Sequence, residues 1–247
     1  MNKAENPGEI ILVDKPLFWT SFAVVGYYKH LLKPIKVGHA GTLDPLATGL
    51  LLLCTGKKTK EISTIQQMPK VYTGRFILGY TSASYDLETE TIPSFVTDID
   101  EEKISEAVKT FEGDIIQIPP AHSAIKVDGV RSYEMIRLGV ELEIKPRWTT
   151  VYKFEVQKSG ENIYNFEVCC SKGTYIRTLI NDLGTKLGCG ALLIELRRTM
   201  IGDYNVDNAN KIDTLNVHRG GKIKDKVYHI QDSIFLQKIN FNSEGLL

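Results

Sequence analysis

The dozen residues from Gly38 to Gly49, reading G-H-A-G-T-L-D-P-L-A-T-G, constrain this chain more than any other stretch. Gly, Thr and Pro crowd the segment, and it runs directly into the unbroken apolar run Leu50 to Cys54. That run is too short for a stable buried helix and is bounded by Gly49 and Gly56, so it predicts a core strand. A turn this dense in punctuating residues, feeding a core strand, presents one side chain at the rim of a sheet. The carboxylate carried by the turn is Asp44, the first candidate for chemistry.

Around this segment the pattern mixes strands and helices without regular alternation. Ile10 to Val13 reads as a strand, after which Thr20 or Ser21 can cap a helix carrying Phe22, Val25, Tyr28 and Leu32 before Pro34 stops it. Val71 to Leu78 and Ile115 to Ile118 are further strands. Between them Ile104, Ala107, Val108 and Phe111 recur at helical spacing behind Asp98 and Asp100, with Gly113 as the stop. Ser123 to Val127 and Tyr133 to Leu138 read as strand and short helix around an Asp128-Gly129 turn. Thr149 to Gln157 pairs with Tyr164 to Cys170 across a hairpin containing Gly160. Thr174 is placed to cap a helix with an apolar stripe through Ile176, Leu179, Ile180, Leu183 and Leu187, ended by Gly188. This order predicts an α+β fold with a central, mainly antiparallel mixed sheet.

The 43% hydrophobic content of the 247 residues is ample for a packed core. No basic segment with an apolar stretch and cleavage site opens the chain, and nothing approaches the ~18 apolar residues of a membrane span. The four cysteines, Cys54, Cys169, Cys170 and Cys189, form no C-x-x-C, so neither a zinc site nor a disulfide framework is expected. These features predict a cytoplasmic protein with reduced thiols. Basic and acidic residues balance at 30 each, which is not the usual footprint of a nucleic-acid binder. The balance is uneven along the chain. Acid gathers in Asp86 to Glu106, and base at Lys29 to Lys36, Lys57 to Lys60, Lys126 to Arg147, Arg197-Arg198 and Lys222 to Lys226. Such clusters serve either as solvated surface or, assembled on one face, as a phosphate-binding grip.

The Asp44 segment resembles the catalytic signature of the TruB family of tRNA pseudouridine synthases. Asp14-Lys15-Pro16 with Thr20-Ser21 is similar to the family's opening motif, and Lys70-Val71-Tyr72 to its second. Pro119-Pro120 through Ser123-Ala124 and Lys126 are similar to the third, and Ser171 to Arg177 to the fourth. In the family's order these pieces cover most of Ile11 to Arg198. The resemblance implies a pseudouridine synthase-like fold with RNA-binding loops, and isomerisation of the uridine at position 55 in the T-loop of tRNA. It implies no cofactor and no metal, since the uracil is only detached from C1′, turned and rejoined through C5.

Such a reaction needs a carboxylate either to add to the sugar or to take a proton from it, and the resemblance assigns Asp44. It assigns Arg177 as the arginine that pairs with that aspartate, and Tyr72 as the tyrosine stacked on the base and placed for proton transfer. Tyr175 and Leu196 become pocket walls, which suit a uracil needing an apolar slot. His39 fills the gap left by the flipped base. Lys15 and Lys172 become phosphate contacts or helpers in the pocket. The implied partner is the T-arm of tRNA, bound by a monomer without a protein partner and held by the basic clusters and Pro119 to Arg147.

Two motifs depart from known patterns and two resemble others falsely. Phe18 stands where many relatives have Gly, which puts the local backbone shape in question. Fewer than ~60 residues follow Arg198, near the lower limit of an independent domain, so 1–247 reads as one catalytic domain with core 10–200 and a short extension over 201–247 in place of a full PUA domain. The Thr55 to Thr59 stretch lacks the spacing of a P-loop, and Gly188-Cys189-Gly190 follows a helix instead of opening one. The rival readings are a noncatalytic RNA-binding module and a glycosidase-like hydrolase. The hydrolase would need a second carboxylate, with Asp86, Glu88 and Glu195 as choices.

Overall fold

Successive side chains of a strand point to opposite faces, and in the computed structural model both faces of the apolar run are covered. The structure describes residues 7–94, 99–121, 126–127, 130–131 and 144–212. The expected Asp128-Gly129 turn, the helix over 133–138, Ser123-Ala124 and the basic cluster at 222–226 lie outside the described residues. The chain divides into two compact units, Met1–Tyr72 with Leu196–Leu247, and Thr73–Glu195.

The first unit contains β1 (Ile10–Lys15), α1 (Ser21–Leu31), β2 (Val37–His39), β3 (Ala47–Thr55), α2 (Ile62–Gln67) and the start of β4 (Lys70–Leu78). It ends with the second half of β12 (Ala191–Ile201), then β13 (Tyr204–Asn205) and β14 (Asn210–Lys211). Its strands run in the order β14-β1-β3-β12, with β1 and β2 antiparallel to β3 and β12 parallel to it. Leu51 and Leu53 pack with Val13, Trp19 and Val24 of the α1 side. Leu50, Leu52 and Cys54 pack with Ile65, Ile201 and Val206 on the other. A strand buried on both faces explains why the run shows no polar alternation. Thr20 caps α1 by accepting the Ala23 N–H at 3.0 Å, which leaves the Ser21 hydroxyl for a different task.

The second unit holds the rest of β4, β5 (Tyr80–Ser82), β6 (Thr91–Pro93), α3 (Glu101–Lys109) and β7 (Gly113–Gln117). After the small pair β8 (Lys126–Val127) and β9 (Val130–Arg131) come β10 (Arg147–Gly160), β11 (Ile163–Cys170), α4 (Ile176–Leu187) and the first half of β12. The order is β4-β11-β10-β7, with β10 antiparallel to both neighbours. The β10/β11 hairpin forms as expected, although its turn uses Asn162 at φ 57 beyond the Gly160 pairing. Gly113 does not stop α3. Thr110 is the C-cap, and Gly113 opens β7 at φ 93.

Gly188 ends α4 in the left-handed conformation at φ 75, as its position predicts. The N-cap of α4 is Tyr175, not Thr174. The Thr174 hydroxyl is used by the Ser171 carbonyl and by Thr149. Gly184 has a separate purpose, since a Cβ there would lie 2.1 Å from the Ala191 nitrogen at the start of β12. The result is a mixed fold of a large, mainly antiparallel sheet with four α-helices among the described residues.

Candidate active site

Asp44 is half-buried in the turn between β2 and β3, and the backbone around it is tied down on every side. The buried Ser21 hydroxyl accepts the Leu43 N–H at 2.8 Å and donates to the Leu43 carbonyl at 3.0 Å. Past Asp44, the Pro45 carbonyl accepts the Phe18 N–H at 2.9 Å and the Lys15 ammonium at 3.4 Å. Phe18 holds φ 66, so the left-handed turn that Gly would allow is kept with a larger residue, at a steric cost of roughly 1–2 kcal/mol. Gly49 is required where it stands: its φ is 98, and a Cβ would fall 2.3 Å from the Arg198 carbonyl oxygen.

Arg198, which the sequence shows only as half of a basic pair, is buried at 2% exposure. Its Nε donates to the Leu50 carbonyl at 2.8 Å, Nη2 to Gly41 at 3.2 Å and Nη1 to Thr42 at 3.5 Å. Its neighbour Arg197 instead forms a two-pronged pair with Asp14, at 3.0 and 2.8 Å. The alternation of a strand sends one arginine inward and the next outward.

Lys15 is fully buried, which does not suit a phosphate contact. Its ammonium donates to the carbonyls of Trp19 at 2.6 Å and Pro16 at 3.0 Å as well as to Pro45. Burial pulls its pKa down to about 7; Asp44 and Asp14 oppose that shift and Arg198 reinforces it. Since an unfolded lysine holds its proton up to about 10.5, the unfolded chain binds more protons between pH 7 and 10.5, and stability rises with pH in that window. Lys15→Met removes that slope. The unfolding free energy of the wild type should gain on the variant by up to about 1.4 kcal/mol per pH unit across it, measured by denaturant titration at several pH values. Equal pH dependence in both proteins would refute the shifted lysine.

His39 ends β2. Burial lowers its pKa, the Gly41 backbone opposes this, and Arg198 adds to it, so the ring is held neutral. Among the described residues its buried Nδ1 has no hydrogen-bond partner. Leu196, at 9% exposure, sits in register with Ala47 two residues after Pro45. Tyr72 is half-buried on β4, whose start is anchored by the Lys70 ammonium on the Gln66 and Met68 carbonyls. These residues all belong to the first unit.

Lys172, Tyr175 and Arg177 belong to the second. Lys172 is exposed beside Gly173. The buried Gln117 amide pairs with the Tyr175 backbone as a strand neighbour would, accepting its N–H at 3.0 Å and donating to its carbonyl at 3.3 Å. Arg177 is 3% exposed, and this is no surface arginine. Its Nη1 donates to the Ser84 carbonyl at 3.0 Å, and its Nε lies 3.6 Å from the Asp86 carboxylate. Asp86 is presented by a turn that braces itself: Ser82 and Ser84 both donate to the Asp86 carbonyl, and Asp86 accepts the Glu88 N–H. The sequence singles out Asp86 as acidic surface or as a hydrolase's second carboxylate and not as the partner of Arg177; two serines and a threonine around one aspartate are the available signal for that role. Of the carboxylates a hydrolase would have needed, Asp86 faces Arg177 and Glu195 holds Arg75 at 2.6 Å. Among the described residues no group of His, Cys, Asp and Glu is arranged to hold a metal ion.

The fold has solved relatives. The structure titled a Cbf5-Nop10-Gar1 complex matches with a TM-score of 0.63 and 32% identity, over 82% of this chain and 52% of that one. The archaeal box H/ACA sRNP Nop10-Cbf5 complex matches at 0.61 and 28% identity, over 92% of this chain and 55% of that one. This chain therefore spans about half of each of those solved chains, and the fold it shares with them is that of the pseudouridine synthases. In sequence, the family model for the TruB pseudouridylate synthase N-terminal domain matches residues 29–176, and the tRNA pseudouridylate synthase B C-terminal domain matches 177–225. The tRNA pseudouridine synthase B of Flavobacterium johnsoniae is 53% identical over 82% of this chain and 92% of its own length. That of Bacteroides fragilis is 46% identical over 81% and 89%, and that of Clostridium acetobutylicum 41% over 84% and 72%. The chain belongs to the TruB family of pseudouridylate synthases.

Proposed function

We propose that this chain isomerises the uridine at position 55, in the T-loop of tRNA, to pseudouridine. The observation that carries this reading is the Asp44 turn, whose backbone is held by Ser21, Lys15, Phe18 and Arg198 through bonds that do not use the half-buried carboxylate. In the reaction the N1–C1′ bond breaks, the C5–C1′ bond forms, and a proton leaves C5 as one is gained at N1. Asp44 either adds to C1′ or takes a proton from the ribose. Tyr72 stacks on the uracil and assists proton transfer, Tyr175 and Leu196 wall the pocket, and Arg177 serves the carboxylate's charge. His39, held neutral, suits insertion into the space left by an everted base, since an uncharged ring stacks there without bringing a charge out of water. Lys172 is exposed and able to meet a phosphate, whereas Lys15 acts from within the fold.

Two basic clusters far apart in sequence meet in the first unit. The Gly56 N–H donates to the Lys36 carbonyl at 2.9 Å, which brings Lys57 and Lys60 beside the stretch from Lys29 to Lys36, with the exposed Lys29, Lys33 and Lys36 among them. We assign this face to RNA phosphates. The double variant Lys57→Glu/Lys60→Glu should weaken tRNA binding, and the slope of log K against log salt should become shallower by ~0.7–0.9 per lost contact. An unchanged slope would return these lysines to the solvent.

The reading as a whole is tested by incubating the purified chain with a tRNA transcript, labelling with carbodiimide and mapping reverse-transcription stops. A stop one nucleotide 3′ of position 55, absent when cytidine replaces that uridine, is expected. Modification at another uridine instead would overturn the positional assignment. The same assay, with the purified chain alone and its mass in solution measured, tests action as a monomer without a protein partner. Cytoplasmic action is part of the same proposal, and among the described residues no helix is long and apolar enough to cross a membrane.

A further inference from the structure

Arg198 carries a permanent charge into a fully buried position, and among the described residues no carboxylate pairs with it. A buried cation without a counterion is costly unless its hydrogen bonds are satisfied. Here they are satisfied by the catalytic turn itself: by Gly41 and Thr42 before Asp44, and by Leu50 after it. The backbone completes the bracket, because Arg198 pairs in register with Gly49, a glycine whose Cβ would strike the Arg198 carbonyl. The rigid planar fork of this guanidinium holds acceptors on two segments, Gly41-Thr42 and Leu50, in one fixed geometry that a compact, freely rotating ammonium on the same strand does not reproduce.

We propose that Arg198 is the positioning residue of the turn, fixing where the Asp44 carboxylate stands relative to the sugar. The inference rests on the reading of Asp44 as the reacting group. Arg198 touches no substrate; it acts through the carbonyls on both sides of that residue. Displacing a reacting group by as little as ~1 Å costs about a hundredfold in rate, and Ser21, Lys15 and the Phe18 N–H restrain other atoms of the same turn, so losing the fork should move the carboxylate without dissolving the site.

The test uses the full chain with Arg198→Lys, which keeps charge and stem, and Arg198→Gln, which keeps a planar donor. Both are assayed below their own melting temperatures for kcat and for tRNA affinity. A fall in kcat of about a hundredfold with affinity within threefold is expected. Ser21→Ala, which loses one hydroxyl at Leu43, is a milder probe, and its combination with Arg198→Lys should be non-additive because both restrain one loop. Unchanged turnover in the Arg198 variants, equal loss of turnover and affinity, or strict additivity with Ser21→Ala would overturn the role. Asp44→Asn is run alongside: an inactive Asp44→Asn beside a fully active Arg198→Lys sinks only the positioning role, whereas an active Asp44→Asn sinks the reading beneath it.

Discussion

Asp44→Asn should reduce pseudouridine formation to background while tRNA affinity stays within about tenfold, or roughly 1.4 kcal/mol. The separation follows from how the turn is held. Its restraints fall on the N–H of Leu43 and on the carbonyls of Gly41, Thr42, Leu43, Pro45 and Leu50, with none of these bonds using the Asp44 side chain. An amide has the shape of the carboxylate, so the turn keeps its path, but a neutral amide neither attacks C1′ nor accepts a ribose proton. Both chemical routes left open for Asp44 end at the same substitution. The measurement is a single-turnover assay beside filter binding of the same tRNA. Parallel loss of binding and turnover would make Asp44 a structural turn residue.

Local patterns were legible in the sequence and long-range ones were not. The Leu50 to Cys54 run announces β3 because a strand covered on both faces has no reason to alternate, and Gly188 announces the end of α4 because only glycine adopts its φ of 75 without strain. β12 carries no such announcement. Leu, Arg, Ala, Glu and Met make up most of its sequence, residues that favour helices in isolation, and it is a strand because β3 supplies partners about 150 positions earlier in the chain. The same distance hides Arg198, whose carbonyl acceptors are spread over residues 41 to 50. For Lys15 the resemblance leaves open a phosphate contact or a helper in the pocket, and only the fold shows its burial, which depends on carbonyls delivered by two turns. Thr174 has the composition of a cap, yet the Gln117 amide on β7 secures Tyr175 and moves the start of α4 by one residue. Each miss is a case in which tertiary partners overrode local preference.

Asp86→Ala should be the most destabilising single change in the second unit, and the way its stability returns should separate structure from chemistry. The Arg177 and Asp86 side chains are 4% and 7% exposed, so Asp86→Ala takes one carboxylate away from a guanidinium deep in the protein. Breaking a buried pair in this way costs on the order of 3–5 kcal/mol, more than either a surface salt bridge or the replacement of both members by apolar groups. The double variant Asp86→Leu/Arg177→Met should therefore recover much of the stability lost in Asp86→Ala, seen as a higher melting temperature. It should not recover turnover if Arg177 serves the reaction as proposed. Arg177→Ala alone should lower kcat more than tRNA affinity for the same reason. If the double variant regained activity together with its melting temperature, Arg177 would be a packing residue and Asp44 would work without it. If Asp86→Ala melted like the wild type, the 3.6 Å approach of Asp86 would contribute no net stability, and the self-braced turn from Ser82 to Thr89 would need another explanation.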